Sequence, residues 1–535
     1  MADGGHRVGS LGDPVIIAAL VVGAALRFVG LGFRDFWFDE SCTYACVATL
    51  FDRADDAPLF IQGTNLLYYV CVRGWTSLFG DGETAYRSLS AVASTAAIPV
   101  VASLAWCLRG RSAARVCAAV AALHPLQIHY AHEARAYAMW TLAAAVALVA
   151  LYYANRRDRW ALWGLYGVTA VVCLLTHVVT VFLLPATVLG ACVAPDRRRA
   201  LRRWFVTTAL VGLVFAPYFV FVVWPVASAG PGAWLVRAWD PWWAIPRSLW
   251  ALMPSGSYPV HLRGLSIASP DTVRLASNAV AAAAAAMPAV VLVLLTGRVV
   301  LRHVAASGRV RRAHGARGSY AMLVGLTLLP LITLWLYSVV VAPAYLVARY
   351  DLMSWPACIV LIAVVIVDAC AAPRRGLRVA GSVAVGVVLV VCAMLPIARM
   401  FALRPGPTLA HARAERIAAL TGPRDIVVAF SADKDDLGYY AYRAGCAARV
   451  VSFPSWLDKQ IGWLDTASDT SPAMVDAVAS DAAARVRLIR RAISTGARVF
   501  VLDDALDPDG VRPRSRLRRV FGARRGDSGL DRGAV

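Results

Sequence analysis

The chain has 535 residues, 59% of them hydrophobic, a formal net charge of +21 and a mean hydropathy of +0.60. An ordinary soluble globular protein, about half apolar, is excluded by that hydropathy. The positive balance would suggest nucleic acid in a soluble chain, but here arginines flank long apolar runs. The composition therefore points to a polytopic membrane protein with no nucleic-acid partner.

Apolar runs fall at 14–33, 85–108, 113–128, 136–154, 160–176, 178–194, 204–226, 274–296, 320–342, 353–371 and 379–398. They predict about eleven spans, each near the ~20 residues that cross a bilayer. The first, 14–33, reads as an uncleaved signal anchor. Alternating the spans puts RGRSAAR (109–115), NRRDR (155–159), PDRRRALRR (195–203), 297–317 and PRRGLR (373–378) on one side. Loops this rich in arginine mark the cytoplasm. The other face then carries 34–84, 129–135, the hinge at His177, 227–273, 343–352 and everything after about residue 400. Eleven cysteines add no CxxC or zinc-type spacing; most sit inside apolar runs, among them Cys107, Cys117, Cys173, Cys192, Cys358 and Cys392, and read as small hydrophobes.

Four clusters with chemical potential fall on that second face. The first is WFDE, where Asp39 and Glu40 stand side by side at a membrane exit among Phe33, Phe36, Trp37, Phe38 and Tyr44. Carboxylates near lipid are costly and call for a reason. A carboxylate screened from water is a better base, and an acceptor hydroxyl attacking a sugar carbon needs one. The residues themselves leave open which of the two it is. Residues 58–80 follow, apolar but broken by Gln62, Asn65 and Arg73, and read as a helix lying in the interface.

The second cluster is HPLQIHYAHEARAY (124–137), where Glu133 and Arg135 stand beside His129 and His132. It reads as a helix cap with loop charges or as a polar group that binds a charged ligand. The His/Glu spacing is no zinc motif; a hard divalent ion would take oxygen ligands such as Asp39 and Glu133. His177, in LLTHVV, stands where two spans meet. The stretch 227–263 is rich in Trp, Pro and Gly, and its tryptophans (Trp234, Trp239, Trp242, Trp243, Trp250) suit the headgroup layer. The last cluster is APAYLVARYDLMSWPA (342–357), with Arg349 flanked by Tyr345, Tyr350 and Asp351. A guanidinium offers a planar fork of donors that matches phosphate oxygens; a snorkelling anchor is the plainer reading.

Past residue 400 the pattern changes. DIVVAF (425–430), ARVVSF (448–453) and ARVFVLDD (497–504) predict strands; ADKDDLGYYAYRAG and SDAAARVRLIRRAIST predict helices. The fold expected is an all-α polytopic membrane protein with interfacial helices and a small C-terminal α/β domain outside the membrane. Its divisions would be 1–400, 401–510 and a basic disordered tail over 511–535.

Together these residues resemble the GT-C superfamily of membrane glycosyltransferases, in the branch of protein mannosyltransferases and aminoarabinose transferases. The resemblance rests on Asp39-Glu40, on LLYYV…W…LFG…E…YRSLSAV (66–92), on the HP…I.Y..EAR.Y run, on His177 and on ARYDLMSWPA, and spans residues 15–400. It implies a polyprenyl-phosphate sugar as donor and a cell-wall glycan, lipid or protein as acceptor, handled on the extracytoplasmic side of the plasma membrane. Asp39 would be the general base and Glu133 a second acidic group for acceptor, donor or metal. Arg349 would hold the lipid phosphate, with Glu40, Tyr44, His132, Arg135, His177 and Tyr350 as further substrate-binding positions. A single base opposite the leaving group would invert the anomeric centre. A nucleotide-binding glycine-rich loop is not visible, as expected for a lipid-borne donor. The competing readings are a lipid or solute transporter or flippase, which would carry inverted repeats and broken helices, and a non-catalytic envelope assembly protein.

Overall fold

The computed structural model describes residues 12–49, 65–157, 159–225, 236, 239–254, 312–370, 375–402, 409–430, 433–453, 472–505 and 514–521. Two compact units emerge. The first comprises Met1–Leu31, Thr64–Pro231 and Leu235–Leu403; the second joins Gly32–Gly63 and Gly232–Trp234 to Arg404–Val535.

In chain order the helices begin with α1 (Pro14–Phe28) and α2 (Phe38–Thr49), the latter in the second unit. The first unit continues with α3 (Leu66–Phe79), α4 (Glu83–Arg109), α5 (Arg111–Leu123), α6 (Pro125–Ala131), α7 (Tyr137–Arg157), α8 (Trp160–Thr176) and α9 (Arg197–Tyr218). It closes with α10 (Ala244–Leu252), α11 (Arg312–Val340), α12 (Trp355–Cys370) and α13 (Arg375–Ala402). Among the described residues five stretches are long and apolar enough to cross a membrane: Glu83–Arg109, Tyr137–Arg157, Arg197–Val223, Gly318–Val340 and Tyr350–Cys370. Shorter apolar helices accompany them, Pro14–Phe28, Trp160–Thr176, Val178–Cys192 and Arg378–Val387. The chain is a multi-pass membrane protein.

Two expected spans are interrupted for local reasons. The run 113–128 breaks at His124, whose φ of −68° and ψ of 118° leave the helix; Pro125 disfavours a helical conformation in the residue before it. The run 178–194 divides into Val178–Phe182, Leu183–Ala186 and Val188–Cys192. The run 274–296 lies outside the described residues, as do 58–64 of the interfacial helix. Its remainder is α3, which buries Tyr68, Tyr69 and Val72 and leaves Leu78 and Phe79 exposed.

The core of this unit is built on small residues. Ala97, Ala102 and Ala105 of α4 and Ala113, Ala114, Ala118 and Ala121 of α5 are all fully or almost fully buried, and such residues let helix backbones approach closely. Gly110, at φ 80°, turns α4 straight back into α5 without a linker. A Cβ at Gly23 of α1 would meet Ile98 Cδ1 at 2.5 Å and Ala122 Cβ at 3.1 Å, so any larger residue would have to displace Ile98 at this crossing. Arg27, one turn further on and 0% exposed, spans the three helices. Its guanidinium donates to the carbonyls of Ala121 (2.9 Å) and Ala122 (2.7 Å) and to Ser94 Oγ (2.8 Å). These are among the last carbonyls of α5, where intrahelical partners run out; that of Ala121 also accepts from the His124 N–H at 3.4 Å.

The second unit holds a four-stranded sheet in the order β2-β1-β3-β4: β1 (Ile426–Phe430), β2 (Arg449–Phe453), β3 (Val499–Ala505) and β4 (Arg514–Phe521). β1 is parallel to both β2 and β3, and β4 runs antiparallel to β3. Helices α14 (Leu409–Leu420), α15 (Asp433–Arg443) and α16 (Pro472–Ser494) connect and cover it, and Ile426, Val428, Val451 and Val499 pack against Leu488, Ile489 and Ile493 of α16. The three predicted strands stand where the alternating Val/Ile/Phe runs put them. β4 does not: 514–521 forms a strand inside the basic stretch expected to be disordered. Its backbone pairs antiparallel with β3, with Arg516 in register with Asp503 and Ser515 with Asp504, a pairing that a lone basic stretch does not reveal.

Candidate functional site

In the first unit the site grows from the break at His124. The His124 ring is buried, its Nε2 3.2 Å from the Leu252 carbonyl of α10 and its face edge-on to Trp355 at 5.6 Å. Pro125 then starts the two-turn helix α6, well suited to the first helical position because it has no N–H to orphan. The chain leaves α6 through Glu133 and Arg135. Glu133 is buried, with Oε1 3.0 Å from His129 Nε2 one helical turn back. His132 points elsewhere: its Nε2 lies 3.1 Å from the Leu26 carbonyl, tying the turn to α1. The Arg135 guanidinium lies 5.9 Å from the centre of the Tyr137 ring, a cation–π contact.

Tyr137 leads to His177. The Tyr137 and His177 rings lie 5.9 Å apart; Trp140 stacks on His177 at 4.3 Å and 18°, and Tyr350 meets it edge-on at 5.1 Å. Burial, with the nearby charge of Arg135 adding to it, pushes the His177 imidazole down to about 3, so the ring is neutral at physiological pH. Its Nδ1 accepts from Val179 N at 3.4 Å and caps the following turn. His177 is thus an aromatic partner in a stack, not a charged ligand.

The segment 342–354 closes the cluster. Tyr130 of α6 donates its hydroxyl to the Ala348 carbonyl at 2.7 Å. Ala348 has φ 63°, the one positive φ outside glycine among the described residues. Left-handed backbone costs an alanine roughly 1–2 kcal/mol. The Asp351 carboxylate accepts from the Ala348 N–H at 2.8 Å and lies near Ser248, whose hydroxyl oxygen accepts from Tyr345 at 2.8 Å. Asp351 and Ala348 are 0% exposed. Arg349 therefore sits between two residues fixed by buried polar bonds. The Tyr130 hydroxyl lies within electrostatic reach of Arg349, Glu133 and Asp351. Glu133, Arg135, His177, Arg349 and Tyr350 form one connected cluster through Tyr130, Tyr137 and Ala348.

Asp39, Glu40 and Tyr44 belong to the second unit. Trp37 caps α2, and Glu40, three residues on and 1% exposed, reaches back to the Trp37 N–H at 3.4 Å. That is the returning half of a capping box. Asp39 occupies the second helical position, half-buried, and its carbonyl accepts from Thr43 Oγ1 at 3.1 Å. The Tyr44 ring packs on Tyr439 and Tyr442 of α15. The environments separate the two acids: Glu40 has a helix-capping bond, while Asp39 is the more accessible. Among the described residues no group of three or more His, Cys, Asp or Glu is gathered to hold a metal.

The sequence by itself does not single out Tyr130, Ser248 or the left-handed Ala348. Tyr130 lies inside the HPLQIHYAHEARAY run, where its aromatic hydroxyl is the one available signal. Ser248 comes from a helix about a hundred residues distant and nothing nearby in sequence marks it.

Residues 65–224 match the family model of dolichyl-phosphate-mannose-protein mannosyltransferases. No curated protein matches the chain. Among solved structures, the chain is similar to ArnT from Cupriavidus metallidurans in the apo state, with 13% identity and a TM-score of 0.52 over 82% of this chain and 85% of that one. It is also similar to ArnT bound to undecaprenyl phosphate, with 12% identity and a TM-score of 0.50 over 91% and 93%. The fold is the one seen in these ArnT structures.

Proposed function

We propose that this GT-C chain transfers a sugar from a polyprenyl-phosphate donor to an extracytoplasmic acceptor, inverting the anomeric centre, with Asp39 as general base. The match of residues 65–224 and the similarity to a fold solved with undecaprenyl phosphate support a lipid-linked donor. The observation that carries the reading is the bond from Tyr130 to Ala348. It joins the turn bearing Glu133 to the one bearing Arg349, within a single buried network.

The chemistry follows from the charges. When the bond from anomeric carbon to phosphate oxygen breaks, negative charge grows on that oxygen. A guanidinium fixed in advance stabilises this charge more in the transition state than in the ground state. Arg349, locked by its neighbours, performs that role and binds the phosphate with its planar fork. Asp39 accepts the proton of the acceptor hydroxyl as it attacks from the opposite face. Glu133, Arg135 and the aromatic group of Tyr137, His177 and Tyr350 bind the sugar and acceptor, and Glu40 and Tyr44 hold the start of α2. His132, committed to the Leu26 carbonyl, shapes the turn instead. The site faces the extracytoplasmic side of the plasma membrane, where a donor in the bilayer arrives by lateral diffusion.

The test is incubation of purified protein with a panel of polyprenyl-phosphate sugars and an envelope glycan or lipid extract. Release of free lipid phosphate that depends on Asp39 is expected. Sugar or lipid moved across a vesicle without release of lipid phosphate would establish the transporter reading instead.

A further inference from the structure

The segment 32–63 lies in sequence between helices of the first unit but clusters with the C-terminal α/β fold. The reason is visible around Asp35–Tyr44. His411 N, near the start of α14, donates to Asp35 Oδ2 at 3.1 Å, so Asp35 satisfies one of the helix-terminal N–H groups that α14 cannot pair itself. The next residue, Phe36, donates its backbone N–H to the hydroxyl oxygen of Tyr440 on α15 at 2.6 Å. The Phe36 ring lies 4.6 Å from that of Tyr439, which meets Tyr44 edge-on at 4.9 Å from the other side. Tyr440 is edge-on to both Tyr439 (4.8 Å) and His411 (5.6 Å). Phe36, Tyr439 and Tyr440 are each less than 5% exposed. Two backbone clamps and an aromatic stack thus fix the three residues before α2 and the turn after Asp39.

We infer that the C-terminal α/β domain is the platform that positions Asp39, with Tyr440, Tyr439 and Asp35 as its positioning residues. The inference rests on the reading of Asp39 as the base. A tyrosine hydroxyl and a carboxylate anchored in α15 and α14 place the first turn of α2 and therefore the base. None of the three touches the reacting atoms; they act by removing the freedom of the loop. Displacing a catalytic group by about 1 Å can lower a rate by up to a hundredfold, so a loop this short, clamped at consecutive residues, is worth holding.

The test compares full-length wild type with Tyr440→Phe, Asp35→Ala and Asp35→Asn. Hydrogen exchange of residues 36–44, thermal melting, kcat and donor KM are measured on each. Loss of one such bond corresponds to about 1.4 kcal/mol, a factor of ten. Tyr440→Phe and Asp35→Ala are expected to speed exchange of 36–44 about tenfold. Turnover should fall by about tenfold or more with donor KM unchanged and the protein still melting cooperatively. Asp35→Asn, which keeps an oxygen acceptor, should restore both. Unchanged exchange overturns the clamp; faster exchange with unaltered kcat overturns positioning. Wild type that releases no lipid phosphate from any donor sinks the transferase reading, while the exchange measurement still decides the clamp.

Discussion

Tyr130 and Ala348 are joined by a 2.7 Å bond from phenol to carbonyl, and Ala348 is held left-handed at φ 63°. A backbone bond to Asp351 braces the same residue from its other side. The arrangement keeps in place a conformation that alanine would otherwise leave, and its neighbour is Arg349. Removing the phenol oxygen should therefore weaken donor binding without touching the donor. We expect Tyr130→Phe to raise the Kd for polyprenyl phosphate about tenfold, the value of one buried hydrogen bond. Ala348→Gly accepts the positive φ freely and should bind as wild type. Ala348→Val, with a branched Cβ, should bind poorly. A lipid pull-down or titration reads all three, and equal affinity for Tyr130→Phe and wild type counts against the latch.

Arg349 itself should separate binding from chemistry. Arg349→Ala removes the fork proposed to grip the phosphate, and donor affinity should fall by about tenfold to a hundredfold, the range of a charge-assisted hydrogen bond. Arg349→Lys keeps the charge but loses the bidentate geometry and should fall between the two. Both variants should insert in membranes and elute as the wild type does. A donor Kd that stays put in Arg349→Ala removes the residue from the site.

The two adjoining acids should behave differently. Asp39→Asn keeps the size of the side chain and abolishes its basicity. A positioned base contributes roughly 10²–10⁴-fold, so kcat should drop by that order while donor binding persists. Glu40→Gln keeps an oxygen that accepts from the Trp37 N–H and should cost little; Glu40→Ala removes the returning capping bond and about 1 kcal/mol of helix stability. Single-turnover release of lipid phosphate ranks them, and Glu40→Gln inactive beside a competent Asp39→Asn would reverse the assignment.

Much of this could be seen in the residues. Apolar runs with arginine-rich loops mark a multi-pass chain, and alternating Val, Ile and Phe mark β1, β2 and β3. The ordered motifs around Asp39, Glu133 and Arg349 carry a resemblance to the GT-C superfamily, and the fold found is similar to that of ArnT. What escaped depended on distance in sequence or on backbone shape. His132 looks equivalent to His129 in HYAHEAR, yet one faces Glu133 and the other the Leu26 carbonyl; periodicity in a seven-residue helix cannot separate them. Ser248 approaches Asp351 from a different helix. Nothing about an alanine announces a positive φ. That α2 docks on the C-terminal domain follows from Tyr439 and Tyr440, some four hundred residues away.

Arg27 makes a prediction about the scaffold. Its guanidinium carries bonds to Gly23 O, Ala121 O, Ala122 O and Ser94 Oγ within a fully buried crossing. Arg27→Met fills a similar volume but takes the Arg27 donor from the Ala122 carbonyl and leaves the Ala121 carbonyl with only the His124 N–H at 3.4 Å. Losing buried partners of this kind costs about 1–3 kcal/mol each, so the detergent-solubilised protein should melt several degrees lower. Arg27→Lys, with a single ammonium, cannot reach both carbonyls and Ser94 together, and should recover only part of the loss. Wild-type melting in Arg27→Met would mean that water satisfies those carbonyls.

The C-terminal domain should show its own pH dependence. Asp425, at the head of β1, is buried, which alone would raise its pKa. The Arg498 side chain (Nη2–Oδ2 2.6 Å) and the N–H groups of Gly422 and Arg498 outweigh that and hold the carboxyl below its usual range. A carboxyl whose folded pKa is depressed stabilises the fold above its unfolded pKa of about 3.9, and that stability disappears as pH falls through the folded value. Arg498→Met should therefore destabilise the sheet at pH 7, with the gap to wild type closing as the solution is acidified below about pH 4. Arg498 is 43% exposed in its side chain, so salt should also narrow the gap. Melting of the full-length pair at pH 7, 5 and 3.5 tests the sign. A gap that persists undiminished at the lowest pH would show that Arg498 stabilises the sheet by packing and not through the charge on Asp425.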